Sequence, residues 1–173
     1  LLNLDIDYDV IPASFDSGIF QKILRPCRDL KLVWTGRLSE VKNPEKAISI
    51  YRHLCSISDS AVSLTFNGTG ELLEKCKSLA SNDANIFFNG HVKKELLPRV
   101  YEDAFALIVT SKSEASPTVI KEALTLGMYV MSLDVGDAKE HINPKNGILF
   151  GSCSDKELAR EILDFYSLKK SLN

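Results

Sequence analysis

The sequence predicts an α/β domain built on a parallel sheet of about six strands, doubly wound, with helices on both faces. Three observations lead there. From Lys31 onward, apolar runs of strand length alternate with stretches of helical periodicity. The strand candidates are short and apolar, as strands covered on both faces are. The junctions between the two patterns carry helix-start and helix-stop chemistry. With right-handed crossovers between successive strands, such a chain forms a Rossmann-like sheet.

In chain order, residues 1–28 read as a linker that leads into the domain. Acids alternate at Asp5, Asp7 and Asp9, Val10-Ile11-Pro12 follows, and Asp16-Ser17-Gly18 marks a turn, so an incoming strand and a linker are expected. The domain proper is 29–173. Strands are expected at 32–35, 62–66, 86–88, 106–109, 129–132 and 148–150, and helices near 44–56, 71–80, 98–103, 117–126 and 155–167. Pro44, Pro98 and Pro117 suit first helical turns, where a missing N–H costs nothing. Ser154-Asp155 with Glu157 reads as a cap for the last helix, and Gly127 as the left-handed stop after Leu126.

With 173 residues, the chain is long enough for one domain with a real core. Its net charge of -2 exerts no long-range pull on nucleic acid or acidic membrane, so no nucleic-acid partner is expected. Cys27, Cys55, Cys76 and Cys153 are scattered, with no C-x-x-C pair, against a zinc site or disulfide framework and for a reducing compartment. No apolar run approaches the roughly 20 residues that span a bilayer, and no secretory signal is visible. The cytoplasm is the expected compartment. The chain starts Leu1-Leu2-Asn3 and stops after an amphipathic helix, which reads as a domain excised from something longer.

In doubly wound folds ligands bind beyond the carboxyl ends of the strands, and the chemistry lies there. After the first strand comes Gly36-Arg37-Leu38-Ser39-Glu40-Val41-Lys42-Asn43-Pro44. A glycine permits a sharp turn, arginine offers phosphate a planar fork, and lysine a movable charge. Arg37 and Lys42 together suit a diphosphate; equally they suit solvated cations beside Glu40 and Glu45. After the fourth strand, Glu114 lies in a loop and Glu122 in the helix eight positions on. Between them, Ser116, Pro117 and Thr118 open that helix, whose free N–H groups form an anion site. Each carboxylate can accept two hydroxyl hydrogen bonds, as a ribose or hexose demands. Alternatively, Glu114 favours the helix dipole and Glu122 pairs with Lys121 or another cation. Asn67-Gly68-Thr69-Gly70 is a backbone-approach loop or a tight turn, and Asn89-Gly90-His91-Val92 could meet a base edge through its backbone. Gly136-Asp137, with Glu140, reads either as a close-approach site or as a turn.

The order and spacing of these pieces resemble the GT4 glycosyltransferases, also called group 1, over nearly the whole chain. The family's G-R-x4-K element is matched by Gly36, Arg37 and Lys42, its glycine-rich turn by Gly68 and Gly70, and its F-x-G-x-V stretch by Phe88, Gly90 and Val92. Its E-x7-E motif, usually E-G-F-x-x-x-x-x-E-A, stands as Glu114-Ala115-Ser116-Pro117-Thr118-Val119-Ile120-Lys121-Glu122-Ala123. Alanine replaces the usual glycine and serine the usual aromatic. Near the start, only Val10-Ile11-Pro12 and Asp16 remain where members carry an Asn-Gly-Val-Asp run.

The resemblance implies the C-terminal, donor-binding half of a GT-B enzyme, transferring sugar from a nucleoside diphosphate to an acceptor hydroxyl with retention. It gives Arg37 and Lys42 the diphosphate, Glu114 the sugar hydroxyls, and Glu122 the ribose. Gly36, Gly68 and the backbone of Ser116, Pro117 and Thr118 would approach the donor, with His91 and Val92 at the base. It implies no metal and no cofactor beyond the nucleotide-sugar donor. The acceptor, a glycan or lipid-linked glycan, would sit on an N-terminal domain absent from this chain, and the full-length enzyme could associate peripherally with the inner face of the membrane. The fragment alone is expected to be inactive. Two other readings remain: a sugar-nucleotide epimerase half of the same architecture, and a nucleotide-binding module without catalysis.

Overall fold

A computed structural model describes residues 29–172. The incoming strand and linker, Cys27 and the Val10–Asp16 motif lie outside the described residues. Within them the chain folds as a six-stranded sheet of order β3-β2-β1-β4-β5-β6 with every pairing parallel. The strands are β1 (Leu30–Thr35), β2 (Val62–Asn67), β3 (Ile86–Phe88), β4 (Ala106–Val109), β5 (Tyr129–Leu133) and β6 (Gly147–Phe150). The order reverses between β1 and β4, so a topological switch point opens where the chain leaves these two central strands.

The helices are α1 (Pro44–Ile57), α2 (Leu73–Leu79), α3 (Leu97–Val100), α4 (Thr118–Thr125), α5 (Ala138–His141) and α6 (Asp155–Ser171). On one face, α1 lays Ala47, Ile48, Ile50, Tyr51 and Leu54 against α6, which contributes Leu158, Ala159, Ile162, Phe165 and Tyr166. The spacing of each set is one helical stripe. On the other face Tyr101, Leu107, Ile120, Ala123, Leu126 and Val130 form a second core. All four residues of β4 are buried, as a central strand with both faces covered requires. Each fully buried leucine or isoleucine contributes about 1.5–3 kcal/mol relative to exposure. Among the described residues, no helix is long and apolar enough to cross a membrane.

The structure departs from the sequence expectation at three places. The helix expected at 98–103 is a 3₁₀ turn, Lys94–Leu96, running into the short α3. An α-helix through Lys94 would drive the Pro98 ring into the Lys94 carbonyl, and the tighter turn avoids that. Pro117 is not in the first turn of α4 but occupies its N-cap, with φ −70° and ψ 99°. The helix α5 was not expected; at four residues it is too short to show a period. Other boundaries agree within two residues, apart from α6, which continues to Ser171 rather than ending at 167. Gly127 does stop α4 with φ 75°.

Candidate functional site

The loops leaving β1, β2 and β3 are laced together by their backbones. The Gly36 N–H donates to the Asn67 carbonyl (3.0 Å), Leu38 N–H to Thr69 (2.9 Å), and Gly68 N–H to Gly90 (2.7 Å). Asn67 is buried and spends its side chain on the same task, donating to Thr35 Oγ1 (3.2 Å) and accepting from Asn89 (2.8 Å). Gly68 lies so close to Gly36 that a Cβ there would fall 1.8 Å from the Gly36 carbonyl oxygen. These loops wall a cavity of about 490 Å³ lined by Thr35, Gly36, Arg37, Gly68, His91, Val92 and neighbouring residues. Arg37 is at its mouth, 74% exposed and paired with Glu71 at 3.3 Å.

The second half of the β1–α1 loop is fixed from β4. Thr110, buried at the end of β4, accepts from Trp34 Nε1 (3.0 Å) and donates to the Asn43 carbonyl (2.8 Å). Lys112 N–H donates to the Val41 carbonyl at 2.7 Å. Asn43 is, among the described residues, the one non-glycine with positive φ (50°), a conformation asparagine tolerates better than most. It turns the chain into Pro44 and sets Lys42 facing the β4–α4 loop. There Lys42 Nζ donates to Glu114 Oε1, and the same carboxylate accepts from Ser111 Oγ at 2.8 Å. Two residues chosen from separate motifs are thus in direct contact.

Glu122 is almost wholly buried, its side chain 5% exposed, and its cation is Lys94 at 3.5 Å. The sequence allowed a pair with Lys121; that lysine turns the other way, to Asp137 at 3.0 Å. Burial raises the Glu122 carboxyl above its ordinary range, and Lys94 opposes the shift. Asp137 also holds Ser116, whose hydroxyl donates to Oδ2 at 2.7 Å. Burial would raise Asp137, but the hydrogen bond from Ser116 and the nearby Lys121 and His141 outweigh it and hold the carboxyl at about 2. Gly136, with φ 56°, passes beneath Ala115 so closely that a Cβ would lie 2.4 Å from the Ala115 carbonyl oxygen.

Of the sequence-selected residues, Gly36, Arg37, Gly68, His91 and Val92 share one cavity, while Lys42 meets Glu114 beside it. Ser116, Pro117, Thr118 and Glu122 lie on the β4–α4 connection and α4 and do not line that cavity. Thr110, Ser111, Asn43 and Lys94 were not singled out in the sequence, and Lys121 was offered to Glu122 rather than to Asp137. Apart from Ser111, which bonds Glu114 three residues on, their roles come from contacts between segments far apart in sequence, and no local pattern announces those.

Comparison with known proteins bears on the family and the fold. Residues 17–173 match the family model described as "Glycosyl transferases group 1". An uncharacterized glycosyltransferase of Methanocaldococcus jannaschii is 30% identical over 138 residues, which is 78% of this chain and 35% of that protein. Among solved structures, a mutant of S. aureus TarM crystallised with fondaparinux, alpha-GlcNAc-glycerol and UDP superposes with a TM-score of 0.80 at 17% identity, covering 95% of this chain and 34% of TarM. The pneumococcal O-GlcNAc transferase GtfA, in complex with UDP and GlcNAc, gives 0.72 at 17% identity, covering 87% and 32%. The lipopolysaccharide outer core galactosyltransferase WaaB, in its apo form, gives 0.70 at 16% identity, covering 87% and 46%. At these identities the structural likeness is one of fold, and this chain spans about a third to a half of the proteins it resembles.

Proposed function

This chain belongs to the group 1 glycosyl transferases, and from that premise we propose that it is the C-terminal donor-binding domain of a retaining GT-B enzyme of the GT4 type. It holds a nucleoside-diphosphate sugar while a preceding acceptor domain presents the hydroxyl that receives the sugar. The observation that carries this reading is the contact of Lys42 with Glu114, which joins the G-R-x4-K loop to the E-x7-E loop at the switch point. A cation for phosphate and a carboxylate for sugar hydroxyls thereby stand side by side. The UDP present in the TarM and GtfA structures supports a nucleoside diphosphate as the donor's leaving part.

In this reading the charge that grows on the departing diphosphate is met by Arg37, Lys42 and the amino end of α4. Preorganised donors of this kind supply the largest catalytic term in many enzymes. Donor binding draws Lys42 towards phosphate, and Glu114 then turns to sugar hydroxyls. Glu122 takes the ribose, displacing Lys94, and the backbone of His91 and Val92 faces the base. Arg37 already projects from the cavity mouth, so a small rotation away from Glu71 frees its fork.

The test is turnover by the intact protein with UDP-, GDP- and ADP-sugars, following release of the nucleoside diphosphate and the anomeric configuration of the product. Arg37→Ala should lower kcat by on the order of 10²-fold, with the configuration retained in whatever product forms. Unchanged turnover, or an inverted product, contradicts the assignment.

A further inference from the structure

The donor-site reading leaves one part-buried cluster unused. Lys121 and Asp137 are 10% and 13% exposed, and they meet on Ser116 in a closed triangle. Lys121 Nζ lies 3.0 Å from Asp137 Oδ2 and donates to Ser116 Oγ at 2.8 Å, while that hydroxyl donates to the same Oδ2 at 2.7 Å. His141 Nε2 stands 3.4 Å from this oxygen as well. Ser116 therefore has its hydroxyl hydrogen committed to Asp137, and what it can offer a ligand is its backbone.

We propose that Lys121 and Asp137 are positioning residues of the donor site, pinning the loop between Glu114 and Thr118 through the Ser116 hydroxyl. The proposal rests on the donor-binding reading above. Its argument is one of cost against geometry. Taking two charges largely out of water is costly, and a pair recovers that cost only when its remaining lone pairs are satisfied. Here Asp137 Oδ1 is enclosed with no hydrogen-bond partner among the described residues. A half-satisfied pair is a poor stabiliser, and apolar residues of similar volume would serve stability as well or better. What the triangle does supply is a fixed place for one residue. Ser116 sits between Ala115, whose carbonyl is packed on Gly136, and Pro117, whose ring fixes φ at −70°. With its side chain tied as well, the chain from Glu114 into α4 has its direction set, and with it the carboxylate and the first N–H groups of the helix. A site on a loop needs such support to hold its geometry.

The test uses the whole 173-residue chain with Asp137→Asn, Lys121→Met and the double variant Lys121→Met/Asp137→Leu. Hydrogen exchange is measured on the ligand-free proteins, calorimetric affinity with UDP, GDP and ADP, and melting temperature on each. Exchange at the Ala115, Ser116 and Thr118 amides should quicken by on the order of tenfold in all three variants, with β4 and β5 amides unchanged. Nucleotide affinity should fall by on the order of tenfold in all three, including a double variant that melts no lower than the wild type. Unchanged exchange overturns the pin. Affinity that returns to the wild-type value in the double variant makes the pair merely structural and overturns the positioning role. A wild-type chain that binds none of the three nucleotides overturns the donor reading and the positioning role with it, and the exchange data still report separately whether the pin exists.

Discussion

Gly68 has no room for a side chain: a Cβ would fall 1.8 Å from the Gly36 carbonyl oxygen, against backbone that cannot yield cheaply. Gly68→Ala should therefore destabilise the chain by more than about 1 kcal/mol, measurable by chemical denaturation; a loss within error would mean the two loops are not in register. Glu122 makes a different prediction. A carboxyl raised in the folded state binds its proton more tightly there than in the unfolded chain. Its contribution to stability is then fullest below the ordinary carboxylate range and is lost as pH rises through the raised value. Glu122→Gln removes that titration, and Lys94, 41% exposed, can be left to solvent. The melting temperature of the variant relative to wild type should climb as pH rises above the ordinary carboxylate range, whereas a pH-independent difference would contradict the burial argument. As candidates, Arg37, Lys42, Glu114 and Glu122 could be picked out from their places after strands together with the family resemblance. Their partners could not. Nothing near Glu122 in sequence marks Lys94 as its cation, because that pair is made by a 3₁₀ turn 28 positions upstream.

At the scale of elements, the start of α6 shows how much a short motif can fix. Ser154 Oγ accepts from the Glu157 N–H at 3.3 Å while the Glu157 carboxylate accepts from the Ser154 N–H at 2.8 Å, a complete capping box. Ser154→Ala should cost about 1 kcal/mol of stability, read from the denaturation midpoint, and an unchanged midpoint would show that α6 is held by its packing on α1 alone. This cap, the proline at the start of α1 and the glycine ending α4 were readable because each acts through its own neighbours in sequence. The short elements were not. The 3₁₀ turn before α3 and the four-residue α5 carry no period: the turn buries none of its residues, and α5 buries only Ala138, so neither leaves an apolar stripe to read.

At the scale of the molecule, a sheet of order β3-β2-β1-β4-β5-β6 brings the β1–α1 and β4–α4 loops to one crevice although they lie some 70 residues apart. The strand pattern implied a parallel sheet, and the tendency of doubly wound sheets to bind ligands beyond their strand ends said where to look for a site. The lacing that shapes the crevice is tertiary, so it came only with the structure: Thr110 reaches Asn43 and Trp34, and Asn67 bridges Thr35 and Asn89. If the crevice is a donor site, a nucleoside diphosphate should bind the folded chain and raise its melting temperature by mass action. The most direct measurement is a calorimetric titration of UDP, GDP and ADP into the chain, repeated with Arg37→Ala and Glu122→Ala. The account predicts that one nucleotide binds and that its affinity falls by about tenfold or more in both variants. A folded chain that binds none of them, or binds one with an affinity indifferent to both substitutions, would contradict it.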